Sequence, residues 1–262
     1  MRRYLRLYLH FLRFSFGRAA QFRLDFGFRV LMDLLWYAQY LVFFAVLTEH
    51  APTVGGWDRD RMRVFAGALF VVDALQMTFV ANNLWAFPLL VNKGDLDYHL
   101  VRPVSTLFMA GFREVAVSSF VNLLCAVGVL VWALVSYPHP LPVTTVVLFG
   151  ALLVVGLFTH FSLHLLSLAP TFWTQSSRGL RDAFWTLDQY MARPVGVYQG
   201  WVRRVLTTLL PIGVIVSFPC RVLFEGPSIG LVAHTVGVSV GAFGVLVFVW
   251  RRGLRAYGSA SS

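Results

Sequence analysis

Residues 143–169 read VTTVVLFGALLVVGLFTHFSLHLLSLA, 27 consecutive positions without an aspartate, glutamate, lysine or arginine. A bilayer's hydrocarbon core of about 30 Å is crossed by roughly 20 apolar helical residues. This stretch therefore predicts a transmembrane helix. Its only strongly polar side chains are His160, His164 and a few hydroxyls. Further apolar stretches lie at about 28–48, 64–88, 114–136 and 229–250. The whole chain agrees: 58% of its 262 residues are hydrophobic and only 13% are charged. Soluble domains run near 25% charged and 45–50% apolar. A soluble enzyme, a disordered chain and a disulfide scaffold are excluded. The expected fold is all-α, a polytopic membrane protein with six transmembrane helices in a single domain over 1–262. No length remains for a soluble catalytic domain.

The fifth passage is ambiguous. Residues 205–224 are apolar but broken by Pro211 and Pro219, while 172–204 are mixed and arginine-bearing. Either 205–224 is the fifth span, or a polar span lies within 175–192 and 205–224 is re-entrant on the far side. Both arrangements give six passages with both termini on one side. Arginine placement then sets orientation. In the first arrangement only Arg59, Arg61, Arg63 and Arg221 lie opposite the termini; in the second Arg193, Arg203 and Arg204 join them. The basic majority stays with the termini either way, which predicts both termini in the cytoplasm. The loop 136–142 (SYPHPLP) has no lysine or arginine, as an outer turn should.

The net charge of +10 would suggest nucleic acid in a soluble protein. Here the same charge is expected to set topology and to meet anionic membrane lipids, with no nucleic-acid partner. Residues 2–25 carry Leu5, Leu9, Leu12 and Phe16 on one helical face and Arg3, Arg6, His10 and Arg13 on the other. That pattern predicts an amphipathic helix lying in the interface. The first apolar stretch starts near Phe28 and is too long for a signal-peptide core. Cys125 and Cys220, both in apolar surroundings, support neither a disulfide framework nor a thiolate metal site.

Several residues could carry chemistry. A Walker A loop needs a lysine after glycine, but the chain's one lysine, Lys93, follows Asn92. An ATP-driven function would need its ATPase, with ATP and magnesium, on another chain. Polar stripes run along three spans: Arg29, Asp33, Tyr37 and Tyr40; Asp73, Gln76 and Asn83; His160, His164 and Ser167. Arg29 and Asp33 can pair at i, i+4. Ionisable groups inside a bilayer are costly and face the bundle interior or a water-filled cavity. Asp73, Gln76, Asn83, His160 and His164 are therefore a candidate translocation path, or interhelical hydrogen-bonding groups. The histidines have the spacing of a zinc helix, but Phe161 stands where a metalloprotease has glutamate. Packing or cavity lining is expected over a metal. Gly237 and Gly241 form a G-x-x-x-G, compatible with close helix packing.

The stretch after the second span reads Asn92-Lys93-Gly94-Asp95-Leu96-Asp97-Tyr98-His99-Leu100-Val101-Arg102-Pro103-Val104-Ser105. Gly94 can end the preceding helix, Asp95 can cap a short new one, and Pro103 can stop it. On physics alone this is either a docking knob for a cytosolic partner or an ordinary topogenic loop.

Gly94, Leu96, Asp97, Leu100, Arg102, Pro103 and Ser105 resemble the G-x-L-D-x-x-L-x-R-P-x-S signature of bacterial type-2 ABC exporter permeases. More narrowly, the chain is similar to the six-span family that pairs with a second, related permease. Gly55-Gly56-Trp57 with Met62 and Gly67 resembles that family's outer first loop. Arg193-Pro194-Val195-Gly196-Val197-Tyr198, then Pro211 and Pro219, resembles its segment before the last span. The resemblance implies a permease subunit of an exporter in the bacterial inner membrane, working by alternating access with a separate ATP-binding cassette subunit. It implies a coupling helix over 93–105, with Lys93, Gly94, Asp95, Leu96, Asp97, Leu100, Arg102 and Pro103 in contact with that subunit. It also favours a re-entrant 205–224. A membrane-embedded enzyme or an ATP-independent carrier, built on Asp73, His160 and His164, is the competing expectation.

Overall fold

A computed structural model of the chain describes residues 2–19, 23–174, 179, 182, 185–186 and 188–258. Among them no β-strand occurs. The helices are α1 (Arg2–Ala19), α2 (Arg23–His50), α3 (Arg59–Gln76), a π-helical turn Met77–Ala81, α4 (Asn82–Asn92), α5 (Asp97–Leu100), α6 (Thr106–Phe112), α7 (Ser119–Val135), α8 (Val143–Leu168) and α9 (Thr171–Thr174). After residue 192 come a 3-10 turn Val195–Val197, α10 (Gly200–Arg204), a second π turn Val205–Leu209, α11 (Ile212–Ile215), α12 (Ser217–Glu225) and α13 (Ile229–Ala256). The chain is an all-α polytopic membrane protein. Four helices are long and apolar enough to cross a membrane, at Val30–His50, Arg59–Asn92, Val143–Thr174 and Ile229–Ala256, and Ser119–Val135 is a shorter apolar one. Half of the residues expected to form the fifth passage, within 175–192, lie outside the described ones.

α3 is the axle of the bundle. Phe65, Phe70, Val64 and Val72 are fully buried against α2, α7 and α8. A helix apolar all round belongs in the middle of a bundle. The outer helices α2 and α13, in contrast, leave most of their apolar surface open. The close approaches are made by glycines whose missing Cβ lets backbones touch. A Cβ on Gly67 would stand 2.7 Å from Leu130 Cα, so α3 and α7 lie backbone to backbone there. Gly156 of α8 abuts the Ile215 carbonyl of α11, and Gly253 abuts the Phe172 ring. The G-x-x-x-G at Gly237 and Gly241 is not used this way: Cβ atoms there would meet nothing within 4 Å, so close packing within the chain does not explain it.

The two ends of the bundle are distinct. At one end α1, the 93–105 segment, α9 and the end of α13 converge. Tyr4 packs on Phe108 at 5.0 Å, Phe172 on Trp250 at 5.1 Å, and Trp250 Nε1 donates to Thr106 Oγ1 at 3.2 Å. At the other end the loops gather. Val54 and Trp57 exchange backbone hydrogen bonds around Gly55 and Gly56, both at positive φ, the conformation a two-residue I′ turn demands. Gly196 sits directly on the Gly55 backbone. Phe224, at the end of α12, packs on Trp57 at 5.5 Å and Tyr137 at 5.6 Å. The segment from 195 to 228 therefore begins and ends at the loop end, with a bend at Leu210-Pro211 between its two helical arms.

Two boundaries differ from expectation. α1 ends at Ala19 rather than 25, residues 20–22 being outside the described ones. Its face toward the protein is Tyr4, Tyr8 and Ser15, with Ser15 Oγ accepting from Val115 N at 3.3 Å; Leu9 and Phe16 remain half exposed for a bilayer. The third span starts at Ser119 and not at 114, because the chain breaks after α6. That break is held by the second span. The π turn widens the helix, and Thr78 O accepts from Ala116 N at 2.8 Å.

Candidate functional site

The 93–105 segment folds as a compact knob. Gly94, at φ +79, ends α4, and the chain wraps back so that Leu96 N donates to Leu90 O at 3.2 Å. This drives Leu96 into full burial in the cluster of Leu84, Phe87, Phe172 and Trp250. The expected cap is corrected: the residue before α5 is Leu96, without a side-chain cap bond, and not Asp95. α5 also ends at Leu100, before Pro103 could stop it. Ser105 then caps α6, its Oγ accepting from Phe108 N at 3.4 Å, while Ser105 N donates to the Tyr4 hydroxyl at 3.2 Å. α1 is thereby fastened to the base of the knob.

The proposed contact residues separate by role. Gly94 and Leu96 are buried and build the turn. Asp95 and Asp97 are half-buried and face the α13 end: they and, chiefly, burial push the Tyr257 phenol above its ordinary range. Lys93, Leu100, Arg102 and Pro103 are exposed. Two open apolar side chains lie outside the motif: Val101 is 82% and Tyr98 69% exposed. An apolar residue left open next to an arginine in a rigid turn was the available signal. The exposed surface is apolar at its tip and basic at its edge.

Beneath the knob, Arg113 Nη1 lies 3.2 Å from His99 Nε2. A guanidinium only donates, so His99 is neutral with its proton on Nδ1. Burial, then Arg113 and Arg102, hold its pKa below the ordinary histidine value, against a smaller opposing pull from Asp95. The unfolded chain then binds more protons just below about pH 6.5, so stability is lost as pH falls through that region. Thermal midpoints in detergent should drop between pH 7.5 and 5.5 by more in the wild type than in His99→Gln. Equal drops would dismiss this origin.

The second candidate is an interior polar cluster. His160 Nε2 lies 2.8 Å from Asp188 Oδ1, and the His160 and His164 rings are 6.3 Å apart. Asp73 of α3 sits within the electrostatic reach of His160, Asp188 and Asp33. Asn122 of α7 donates to Asp33 of α2. The Arg29 side chain, and with it the expected Arg29–Asp33 pair, lies outside the described residues; Asp33 turns to α7. Gln76, one turn beyond Asp73, is 4% exposed, and its carboxamide has no hydrogen-bond partner among the described residues. Asp188 was missed as a site residue, because a carboxylate in a mixed, interrupted stretch has no periodicity to announce it.

Asn83 does not belong to this cluster. Its amide donates to Glu114 O at 2.8 Å and accepts from Glu114 N at 2.7 Å. It splints the break between α6 and α7, the hydrogen-bonding use that was the alternative to a path. Among the described residues no group of three histidine, cysteine or acidic side chains is placed to hold a metal ion.

A helical bundle with helices long and apolar enough to cross a membrane, an exposed knob at one end and polar groups inside defines a multi-pass membrane protein. The chain belongs to the ABC-2 family of transporters: the family model described as ABC-2 family transporter protein matches residues 34–261. It is thus a membrane permease of an ABC transport system, a transport subunit rather than an enzyme, of a kind that normally works with an ATPase. The match starts inside α2 and leaves α1 outside it. No curated protein and no solved structure matches the chain.

Proposed function

We propose that this permease is the membrane half of an exporter driven by a separate ATP-binding cassette subunit, which brings its own ATP and magnesium. The observation that carries this is the knob: a folded, rigid projection with Tyr98, Leu100 and Val101 open to solvent and Arg102 beside them. Side chains of that kind, left bare on a structured turn, fit a docking contact. α1 is tied to the base of the knob through Tyr4 and to the start of the third span through Ser15 and Phe16, so a push on the knob reaches the bundle along two routes. The knob end carries the basic majority and is taken as cytoplasmic, with both termini there, in a bacterial inner membrane.

In this arrangement 175–192 makes the polar fifth passage and 200–225 dips in and out from the outer side. His160 and Asp188 would join that passage to the fourth span, and Asp73, Gln76 and His164 would line the polar interior near it. Substrate would move between two permease subunits, the second being a related chain, by alternating access. A lipid-like or amphipathic cargo suits the open apolar faces of α2 and α13.

Purification from native membranes in mild detergent, with mass spectrometry of bound chains, tests the assignment. A cassette ATPase is expected with the wild type and is expected to be lost on Tyr98→Ala/Val101→Asp, with the variant still membrane-inserted. Asp95→Ala should weaken the contact less, since Asp95 faces inward. A chain that purifies alone, or an ATPase retained by the double variant, would remove the knob from this role.

A further inference from the structure

Between the 200–225 segment and the start of α13, at the loop end, lies a cavity of about 630 Å³. Arg203, Arg221, Glu225 and His234 line it. Arg221 Nε donates to Glu225 Oε2 at 2.7 Å, which spends one of five guanidinium N–H groups. No other carboxylate is among the lining residues, so Arg203 leaves the cavity with an excess positive charge. His234 Nε2 is 2.9 Å from Thr207 O, a carbonyl within the second π turn, and so carries its proton there. Gly226 and Gly230 form part of the wall, and a Cβ on either would meet nothing closer than 3.9 Å. The space is open and backbone-lined. The 28-residue α13 begins here with no acidic residue in its first turn and no side-chain cap bond from Ser228, so the partial positive charge of its N-terminus adds to that of the arginines. Outside the lining, Trp201, Leu209 and Ile229, each within two residues of a lining residue, are 75%, 76% and 91% exposed.

A cationic cavity with bare apolar side chains on the adjoining chain segments matches an amphiphile. Guanidinium forks and the backbone N–H groups of a helix start suit phosphoryl oxygens. We propose that this cavity binds the phosphoryl headgroup of an anionic phospholipid, with the acyl chains laid over Trp201, Leu209 and Ile229. That the lipid is cargo rests on the export reading above; the binding itself does not.

Calorimetric titration of the full chain in zwitterionic detergent with dioctanoyl phosphatidate tests it. The wild type is expected to bind phosphatidate at least 10-fold more tightly than either inorganic phosphate or dioctanoylglycerol. Arg203→Gln/Arg221→Gln should weaken phosphatidate at least 10-fold. Gly230→Val, which keeps both charges and fills the cavity, should weaken it comparably, and it carries the test if loss of the Arg221–Glu225 pair perturbs folding. Arg204→Gln, beside Arg203 but outside the lining, should bind as the wild type. Unchanged binding in both cavity variants overturns the site. Inorganic phosphate binding as tightly as phosphatidate overturns the amphiphile, and equal loss in Arg204→Gln reduces the effect to bulk charge. None of these measurements involves the ATPase, so a failure here leaves the knob contact standing.

Discussion

Asp188→Ala is expected to destabilise the chain, and the double variant His160→Leu/Asp188→Leu much less. His160 is buried, and its Nε2 faces Asp188 Oδ1 at 2.8 Å. Asp188 is half-buried, and removing it leaves the buried His160 imidazole without its acceptor, at a cost of about 1–3 kcal/mol, whereas replacing both with apolar side chains is often near neutral. Asp188 opens the stretch 188–192, and the pair fastens that stretch to α8. The thermal midpoint in detergent of the two single variants and the double variant, read as a cycle, gives the coupling. If Asp188→Ala alone melts with the wild type, the pair does not fasten the segment. Retained stability in the double variant with lost transport would mean that the pair serves the path; retained transport would make it structural.

Gly156→Val should be the most disruptive single change in α8, and Gly150→Val on the same helix should be tolerated. The Gly156 Cα faces the Ile215 carbonyl so closely that a side chain there would overlap backbone, which cannot rotate aside; a Cβ on Gly150 meets nothing within 4 Å. Overpacking of this kind costs about 3 kcal/mol when the neighbour cannot yield. Both substitutions change helix propensity alike, so their difference isolates the α8–α11 contact. Equal expression and equal thermal midpoints would show that the two helices do not need this approach. If Gly156→Val instead folds but loses transport, the contact is a moving one, because the 200–225 segment is gripped at this point.

Class was legible from composition and hydropathy. Long charge-free stretches have few alternatives to crossing a bilayer, since every backbone group must be satisfied internally there. The knob was legible as well, in the Gly94 turn and the Arg102-Pro103 end of a recognisable motif. Its orientation was not. Whether Asp95 or Val101 points outward depends on how the chain wraps onto the end of α4, and Leu96 falling into the core settles that. Asn83 shows the same limit. Helical spacing put it on a stripe with Asp73 and Gln76, but the π turn between them shifts the face, and its amide goes to the Glu114 backbone.

The sequence by itself determined that this is a helical membrane protein of a recognisable permease type, because hydropathy, charge bias and local turn chemistry are properties of neighbouring residues. Only the tertiary structure decided which glycines bring helices together, that Asp188 meets His160, that Arg203 and Arg221 share a cavity with the start of α13, and that 195–228 returns to the end it started from. Each of those joins residues far apart along the chain. Their meeting depends on the packing of whole helices against one another, and no local pattern records it.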